Sequence, residues 1–305
     1  MMKKILVTGV NGQLGYDVVL ELNKRGYEAI GVDREIMDLT NSEEIKNVIY
    51  SEKPHGIIHC AAYTAVDAAE DNIELCERVN ALAVKEIATY AKDLDIPMIY
   101  ISTDYVFNGM KGINQNNVDE VAYMIEGNNI CKECYLEYTE DDKVNPINVY
   151  GRTKYEGEMH VKNILDKHYI VRISWVFGEN GNNFIDTMLR LSKDRDELNV
   201  IDDQVGSPTY TKDLASLLVD MLESDRYGTY HATNDGYCSW YEFAKEIFDV
   251  AGVDIKVNPI TTDMYPTKAK RPFNSKMSKN KLIKNEFKML RHWKDALKDY
   301  INNVE

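Results

Sequence analysis

Short apolar runs alternate with segments of helical periodicity along the first half of the chain. Ile5–Val7 has the length of a buried parallel strand, and Tyr16–Leu22 after it places apolar residues on one helical face. Further strand-like runs are Tyr27–Asp33, Gly56–Ala62 and Pro97–Ser102, with helical segments near 42–52 and about 72–93 between them. This rhythm with short links predicts an α/β fold, a doubly wound parallel sheet of the Rossmann type. Ligands of such sheets bind at the C-terminal ends of the strands.

The second half of the chain has shorter and more broken elements. The run Tyr169–Phe177 predicts one more strand. The elements expected after it are a helix through about 193, a strand and turn over 199–209, a helix at 211–223, a short strand near 228–232, a helix at 239–251, an irregular stretch from 258 to 275 and an amphipathic helix from Trp293 to Ile301. We therefore expect a first domain over 1–175, with an insertion near 110–136. A small C-terminal lobe follows over 176–305, and some of its segments return to the first domain.

The composition is that of an ordinary globular protein: 305 residues, of which 44% are hydrophobic and 28% charged. A net charge of −14 argues against nucleic acid and anionic membrane surfaces as partners. No apolar run approaches the roughly 20 residues of a membrane span. The N-terminus enters the first strand without a signal peptide, and five scattered cysteines fit a reducing compartment. We expect a cytoplasmic protein, either a monomer or a homodimer.

Three glycines separate the first strand from the first helix. Gly9, Gly12 and Gly15 have G-x-x-G-x-x-G spacing, which lets the backbone approach a pyrophosphate at a helix N-terminus. A plain glycine-rich turn is the alternative, but the strand–turn–helix context favours dinucleotide binding. Asp33 ends the second strand, where dinucleotide folds place the acid that holds the adenosine ribose hydroxyls. Arg34 beside it could instead accept a 2′-phosphate, so NAD and NADP both stay open.

A tyrosine and a lysine stand four residues apart at the start of a predicted helix. Tyr150 and Lys154 therefore project from the same helical face. A nearby ammonium stabilises a phenolate and lowers the pKa of the tyrosine, which makes the phenol a better acid near neutral pH. A Tyr/Lys pair on a solvated helix face is common, and the spacing alone favours that interpretation.

A CxxC motif lies where the chain loses clear periodicity. Cys131 and Cys134 form half of a zinc site at most, since no second pair has suitable spacing. We expect a solvent-exposed insertion here and no bound metal.

The glycine motif, a Ser/Thr at the end of the fourth strand and the Tyr-x-x-x-Lys pair occur together. This combination resembles the extended short-chain dehydrogenase/reductase family, and most closely its dTDP-4-dehydrorhamnose reductase branch. The stretches that carry the resemblance are Val7–Gly15, Ala61–Glu70, Ser102–Phe107, Asn148–Glu158, Arg172–Phe184, Asp203–Thr209, Arg271–Ser275 and Arg291–Tyr300. Only the region near 110–136 departs, because the family has a shorter link there.

The resemblance implies a reductase that moves a hydride from NAD(P)H to the C4 ketone of a dTDP-6-deoxyhexose. It implies Tyr150 as proton donor, Lys154 as the group that lowers its pKa and holds the nicotinamide ribose, and Thr103 as a hydrogen-bond donor to the reacting oxygen. The cofactor residues that it implies are Gly9, Asn11, Gly12, Gln13, Leu14, Gly15, Asp33, Arg34, Asp38, Leu39, Ala61, Ala62, Tyr63, Tyr150 and Lys154. The substrate residues that it implies are Thr64, Val66, Thr103, Tyr105, Tyr150, Trp175 and Arg271.

One basic cluster could bind the diphosphate of a nucleotide-sugar substrate. It consists of Lys268, Lys270 and Arg271, and a solvated basic loop is the alternative. Asp33 repels a 2′-phosphate, so NADH is slightly favoured over NADPH as the hydride donor.

Two other functions are compatible with the resemblance. A sugar-nucleotide dehydratase or epimerase is one; dehydratases carry a catalytic Glu at the position of Tyr105, which lacks a carboxylate base. The other is a non-catalytic regulatory subunit that resembles the beta subunit of methionine adenosyltransferase. The intact Thr103, Tyr150 and Lys154 favour an enzyme.

Overall fold

The computed structural model describes residues 2–113 and 132–304, in which strands and helices alternate. The strands are β1 (Lys4–Thr8), β2 (Glu28–Val32), β3 (Gly56–His59), β4 (Met98–Thr103), β5 (His168–Ile173), β6 (Val176–Phe177), β7 (Glu197–Ile201), β8 (Val205–Gly206), β9 (Thr209–Tyr210), β10 (Gly228–His231), β11 (Cys238–Ser239) and β12 (Lys256–Ile260). The helices are α1 (Gln13–Lys24), α2 (Ser42–Glu52), α3 (Val66–Ala69), α4 (Ile73–Glu77), α5 (Ala83–Asp93), α6 (Val149–Ile164), α7 (Phe184–Leu191), α8 (Thr211–Leu222), α9 (Trp240–Ala251), α10 (Asn280–Lys284) and α11 (Trp293–Val304).

The central sheet of the described residues has the strand order β2-β1-β3-β4-β5-β10, and every neighbouring pair is parallel. The chain moves outward from β1 in one direction to β2 and in the other to β3, so the strand order reverses there. Such a reversal opens a crevice at the carboxyl ends of the strands, where ligands of doubly wound folds bind. The predicted doubly wound parallel sheet is therefore confirmed.

Alternate residues of each strand enter two separate cores. Ile5 and Val7 of β1 pack in the core that α1 and α8 cover, whereas Leu6 between them packs in the core under α2, α5 and α6. Both faces of the sheet are thus buried, which is why β1 reads as a continuous apolar run rather than an alternating one.

A third core lies in the C-terminal half. Phe177, Phe243 and Tyr300 belong to it, together with residues of α7, β7, α9 and α11. Helix α8, strand β10 and the segment near Leu290 pack instead in the core of the central sheet. The division of the chain at 175/176 stays a prediction.

Two predicted elements are wrong in detail. The run Tyr169–Phe177 is not one strand: β5 ends at Ile173, and β6 pairs with β9 instead of the central sheet. Trp175 between them has φ of 49°, which ends an extended strand and turns the chain toward the C-terminal lobe. The predicted irregular stretch from 258 contains the end of β12, which pairs in parallel with β7. That pairing joins segments far apart in sequence, so local periodicity does not predict it.

The predicted helix over about 72–93 is interrupted by a π-helical turn at Arg78–Leu82. Asn80 in this turn is buried, accepts a hydrogen bond from the Tyr63 backbone N–H at 2.8 Å and donates one to the Tyr63 carbonyl at 3.2 Å. A π-turn re-aims side chains that a regular α-helix would place elsewhere. Here it fixes the loop after β3. No helix in residues 2–113 and 132–304 is long and apolar enough to cross a membrane.

A buried ion pair anchors α6 to the sheet. The Glu158 carboxylate accepts two hydrogen bonds from the Arg172 guanidinium, each 2.8 Å long, and a third from the Ser102 hydroxyl at 2.6 Å. The side chains of Glu158 and Arg172 are 0% and 1% exposed. Helix α6 is thereby tied to both β4 and β5.

We expect Glu158→Gln to destabilise the protein by about 3–5 kcal/mol, because it leaves the Arg172 guanidinium buried without its counter-charge. Glu156→Gln, on the same helix, breaks an exposed pair with Arg152 and should cost less than about 1 kcal/mol. The measurement is the free energy of unfolding from denaturant titration of both variants. Equal losses in the two variants would contradict the structural role assigned to the buried pair.

Candidate active site

The glycine turn is a close backbone approach rather than a flexible link. Gly9 has φ of 71°, and a Cβ there would lie 2.8 Å from the backbone of Ala61. A Cβ on Gly15 would meet the Gly9 carbonyl group. The Gly12 N–H donates to the Gly9 carbonyl at 3.0 Å and closes the turn. The glycines therefore let the turn pack backbone against backbone next to Ala61.

The N-terminus of α1 has the features of an anion-binding site. Its N-cap is Gly12, which has no side chain to accept from the first N–H groups, and the first turn carries no acidic residue. Unpaired N–H groups and the positive end of the helix dipole then face the crevice. The cradle fits the pyrophosphate of a dinucleotide.

A carboxylate and a guanidinium lie at the end of β2. The Asp33 carboxylate accepts a hydrogen bond from the Asn11 amide at 2.5 Å and one from the Glu35 backbone N–H at 2.9 Å. The Arg34 side chain is 84% exposed and approaches Asp38 at 3.4 Å. The pKa of Asp38 is lowered, chiefly by the hydrogen bond from the Thr40 backbone N–H. Asp33 is held in place, whereas Arg34 is free to turn toward a ligand.

Helix α6 presents Tyr150 and Lys154 to the end of β4. Asn148 caps the helix and accepts from the Gly151 N–H at 2.7 Å. A Cβ on Gly151 would overlap the Tyr105 carbonyl oxygen, so only glycine permits this close packing. Tyr150 and Thr103, the last residue of β4, line the same cleft. The Lys154 ammonium lies 4.1 Å from the centre of the Tyr100 ring.

Burial governs the protonation of these groups. It raises the pKa of the Tyr150 phenol; the Asp104 carboxyl adds to the rise, and the nearby Thr103 hydroxyl opposes it. Burial lowers the pKa of Lys154 to about 7, against the attraction of the Glu158 carboxylate. Lys154 therefore titrates near neutral pH, where a small change of surroundings decides its charge. Its predicted lowering of the pKa of Tyr150 stays a prediction.

The glycine turn, the end of β2 and the end of β4 line one cleft of about 790 Å³. That volume lies in the range of cofactor and small-molecule sites. The predicted residues that line the cleft are Gly9, Asn11, Gly12, Gln13, Leu14, Gly15, Asp33, Arg34, Asp38, Leu39, Ala61, Ala62, Tyr63, Thr64, Val66, Thr103, Tyr105, Tyr150, Lys154 and Trp175. The cleft thus contains every predicted site residue except the basic cluster Lys268, Lys270 and Arg271.

Arg271 is not among the residues that line this cleft. Its guanidinium pairs with the Asp67 carboxylate at 2.6 and 3.2 Å, and Lys268 pairs with Asp71. The Arg271 guanidinium also lies near the side chain of Tyr105, which does line the cleft. The sequence gives no sign of the pair with Asp67, because the two residues lie far apart along the chain. The role of Arg271 in substrate binding stays a prediction.

Other residues line the cleft without having been predicted, among them Met37, Thr40 and Trp240. Trp240 stacks on Trp175, with ring centroids 3.7 Å apart and planes 14° from parallel. Its partner lies far away in sequence, so no local signal points to it.

The described residues contain no group of three or more His, Cys, Asp and Glu side chains that could hold a metal ion. Cys131 lies outside the described residues, so the interpretation of the CxxC motif stays a prediction.

Comparison with known proteins identifies the family. A family model described as the RmlD substrate binding domain matches residues 2–305. The dTDP-4-dehydrorhamnose reductase of Aggregatibacter actinomycetemcomitans is 39% identical, over 98% of both chains. A solved structure of a dTDP-4-dehydrorhamnose reductase from Clostridium acetobutylicum is 41% identical over 99% of both chains, with a TM-score of 0.89. The enzyme of that name from Bacillus anthracis, solved in complex with NADP, is 38% identical over 99% of this chain and 100% of its own, also with a TM-score of 0.89. The chain therefore belongs to the RmlD substrate-binding domain family.

Proposed function

We propose that the protein reduces the C4 ketone of dTDP-4-dehydrorhamnose to give dTDP-L-rhamnose, with NAD(P)H as the hydride donor. The observation that carries this proposal is that Thr103, Tyr150 and Lys154 line the same cleft as the glycine turn before α1. The printed names of the full-length relatives support the same reaction.

The cofactor half of the cleft fits a dinucleotide. The N–H groups at the start of α1 bind the pyrophosphate, and Asp33 takes the hydroxyls of the adenosine ribose. The Bacillus anthracis relative with bound NADP supports a nicotinamide dinucleotide as the ligand. When bound, the reduced nicotinamide supplies the hydride. The small residues Ala61 and Ala62 leave room for a flat group beside the ends of β1 and β3.

Tyr150 delivers the proton. Hydride addition to a ketone leaves an alkoxide, and the buried phenol gives it a proton. Thr103 donates a hydrogen bond to the reacting oxygen and so orients the carbonyl toward Tyr150. Lys154 holds the nicotinamide ribose and favours the phenolate that Tyr150 becomes.

The sugar half of the cleft is lined by Thr64, Val66, Tyr105 and Trp175, which contact the nucleotide-sugar substrate. Arg271 acts at its margin through Tyr105, and binding of a diphosphate there requires Arg271 to leave Asp67. The alternatives are weaker. Dehydration requires a carboxylate base where Tyr105 stands, and a purely regulatory subunit needs no buried proton donor beside a cofactor cradle.

We expect Tyr150→Phe to lower kcat by roughly 10²–10⁴-fold, because it removes the proton and keeps the ring. Lys154→Met should impair both turnover and cofactor affinity, and Thr103→Val should fall between wild type and Tyr150→Phe. NAD(P)H loss at 340 nm with a dTDP-4-keto-6-deoxyhexose measures turnover.

Tyr155→Phe is the matched control, since Tyr155 lies on the same helix and packs outside the cleft. It should keep wild-type turnover. Full activity of Tyr150→Phe would show that another group protonates the alkoxide. An inert wild type that still binds NADH would favour the regulatory subunit.

Cofactor preference should depend on the two side chains at the end of β2. We expect NADH to bind slightly more tightly than NADPH, because the Asp33 carboxylate repels a 2′-phosphate. Asp33→Ala should shift the preference toward NADPH, and Arg34→Ala should not. Titration of both reduced cofactors by fluorescence measures the dissociation constants. A preference for NADPH that survives Asp33→Ala and is lost in Arg34→Ala would reverse the assigned roles.

Cofactor binding should also depend on pH through Lys154. Its pKa is about 7, so the ammonium that holds the ribose is present below pH 7 and is lost as the pH rises above it. We expect the dissociation constant for NADH to rise by up to about tenfold per pH unit above pH 7. The same titration of Lys154→Met, between pH 6 and 9, should be flat. An equally steep dependence in Lys154→Met would assign the effect to another group.

A further inference from the structure

We infer that Trp240 is a positioning residue, which holds the indole of Trp175 in place so that the two stacked rings form an aromatic wall of the cleft. The sugar ring of the substrate packs against this wall. The inference rests on the proposed function, because that function supplies the nucleotide-sugar substrate.

The backbone of Trp175 is held by the C-terminal lobe. Its φ of 49° lies in the left-handed region, where a bulky residue is an outlier. The Thr209 N–H donates to the Trp175 carbonyl at 3.1 Å. One residue earlier, the Ser174 hydroxyl donates to the Ser207 carbonyl at 2.7 Å. Uncommon conformations of this kind persist where the surrounding structure holds them, and they concentrate at ligand sites.

Two contacts fix the direction of the Trp175 indole. Trp240 stacks on it, with ring centroids 3.7 Å apart and planes 14° from parallel. Gly206 also lies against it: a Cβ on Gly206 would be 2.9 Å from Cε2 of Trp175, so a larger residue would displace the ring. Both tryptophans are half-buried and line the cleft. Removal of the stacking ring would therefore leave the Trp175 indole free to turn.

Trp240 is itself held by the third core. It is the first residue of α9, whose N-cap Ser239 accepts from the Glu242 N–H at 3.1 Å. The Glu242 carboxylate accepts from the Ser239 N–H at 2.7 Å in return. The ring of Phe184 contacts Trp240, with centroids 4.6 Å apart, and both side chains pack against the third core. The C-terminal lobe thus supports the aromatic wall from behind.

The wall lies near the sugar of the substrate rather than the adenosine of the cofactor. Trp175 comes two residues after Ile173, which pairs with Thr103 at the end of β4. Thr103 binds the reacting oxygen of the sugar in the proposed reaction. Asp33, the residue for the adenosine ribose, follows β2 at the opposite edge of the sheet. A 6-deoxyhexose offers a methyl group and C–H groups, which suit packing against an aromatic surface.

Steady-state kinetics tests the role of Trp240. We expect Trp240→Ala to raise KM for a dTDP-4-keto-6-deoxyhexose by roughly five- to tenfold and to keep kcat within about twofold, because the lost packing acts on substrate and transition state alike. Affinity for NADH should not change. Trp240→Phe retains a ring for stacking and should restore most of the substrate affinity. Gly206→Ala displaces the indole but retains Trp240, and it should raise KM as well.

The matched control is Tyr241→Ala. Tyr241 is the next residue of α9, is half-buried against the same core and lies outside the cleft. It should keep the wild-type KM. An unchanged KM in Trp240→Ala, or an equal rise in Tyr241→Ala, would overturn the positioning role.

Inhibition by dTDP, which lacks the sugar, tests which part of the substrate the wall contacts. Its inhibition constant should be the same in wild type and Trp240→Ala. A rise equal to that of KM would show that the wall contacts the nucleotide, which overturns the assignment to the sugar.

Fluorescence gives a measurement that does not depend on turnover. The chain has 3 tryptophans, and Trp293 lies in the third core outside the cleft. In a Trp293→Phe background, Trp240→Phe and Trp240→Ala each leave Trp175 as the single tryptophan. Time-resolved anisotropy should show Trp175 moving only with the whole protein in the Phe variant, and an added local motion on the nanosecond scale in the Ala variant.

Equal mobility of Trp175 in the two variants would overturn the inference, whatever the kinetics show. If wild type fails to reduce the keto sugar but the two variants differ in mobility, the proposed function is wrong and the positioning of Trp175 by Trp240 stands.

Discussion

The buried ion pair between Glu158 and Arg172 is the constraint on which the site depends. It joins one turn of α6 to β5, and the Ser102 hydroxyl adds β4 to the same carboxylate. Lys154 lies one turn before Glu158 on that helix, and Thr103 directly follows Ser102 on that strand. Because the pair is desolvated, its charges favour one geometry strongly over any that separates them. The ion pair thus fixes where the Tyr150 phenol lies relative to the end of β4.

The crevice itself follows from close backbone approach. Gly9 leaves no room for a side chain against Ala61, and Gly151 none against the Tyr105 carbonyl. Two helices therefore bring their N-terminal turns up to the strand ends, one with bare N–H groups for an anion and one with Tyr150. Asn80 in the π-turn fixes the loop between them through the Tyr63 backbone.

The same burial that orders the site also sets its proton chemistry. It raises the pKa of Tyr150 and Asp104 and lowers that of Lys154, so each group is pushed toward its neutral form. A phenol that keeps its proton until the alkoxide forms is what the proposed reduction requires of Tyr150. The Glu158 carboxylate opposes this effect at Lys154, because its negative charge raises the pKa of the ammonium. The charge of Lys154 therefore depends on the same carboxylate that pairs with Arg172.

The sequence by itself determined the sheet, the glycine turn and the Tyr150–Lys154 helix, because strand burial, helical periodicity and glycine spacing are local properties. Once the resemblance joined the separate motifs, the site residues that it implied all line one cleft, apart from Arg271. Only the tertiary structure decided what distant segments do to one another. Arg271 pairs with Asp67, and Trp240 stacks on Trp175. The strand predicted through Phe177 is interrupted at Trp175, and β6 pairs with β9. Thr103 and Tyr150 line one cleft because β4 and α6, far apart in sequence, meet at the same edge of the sheet. Such contacts depend on charge, shape and pairing between segments far apart along the chain, and no local pattern of residues encodes them.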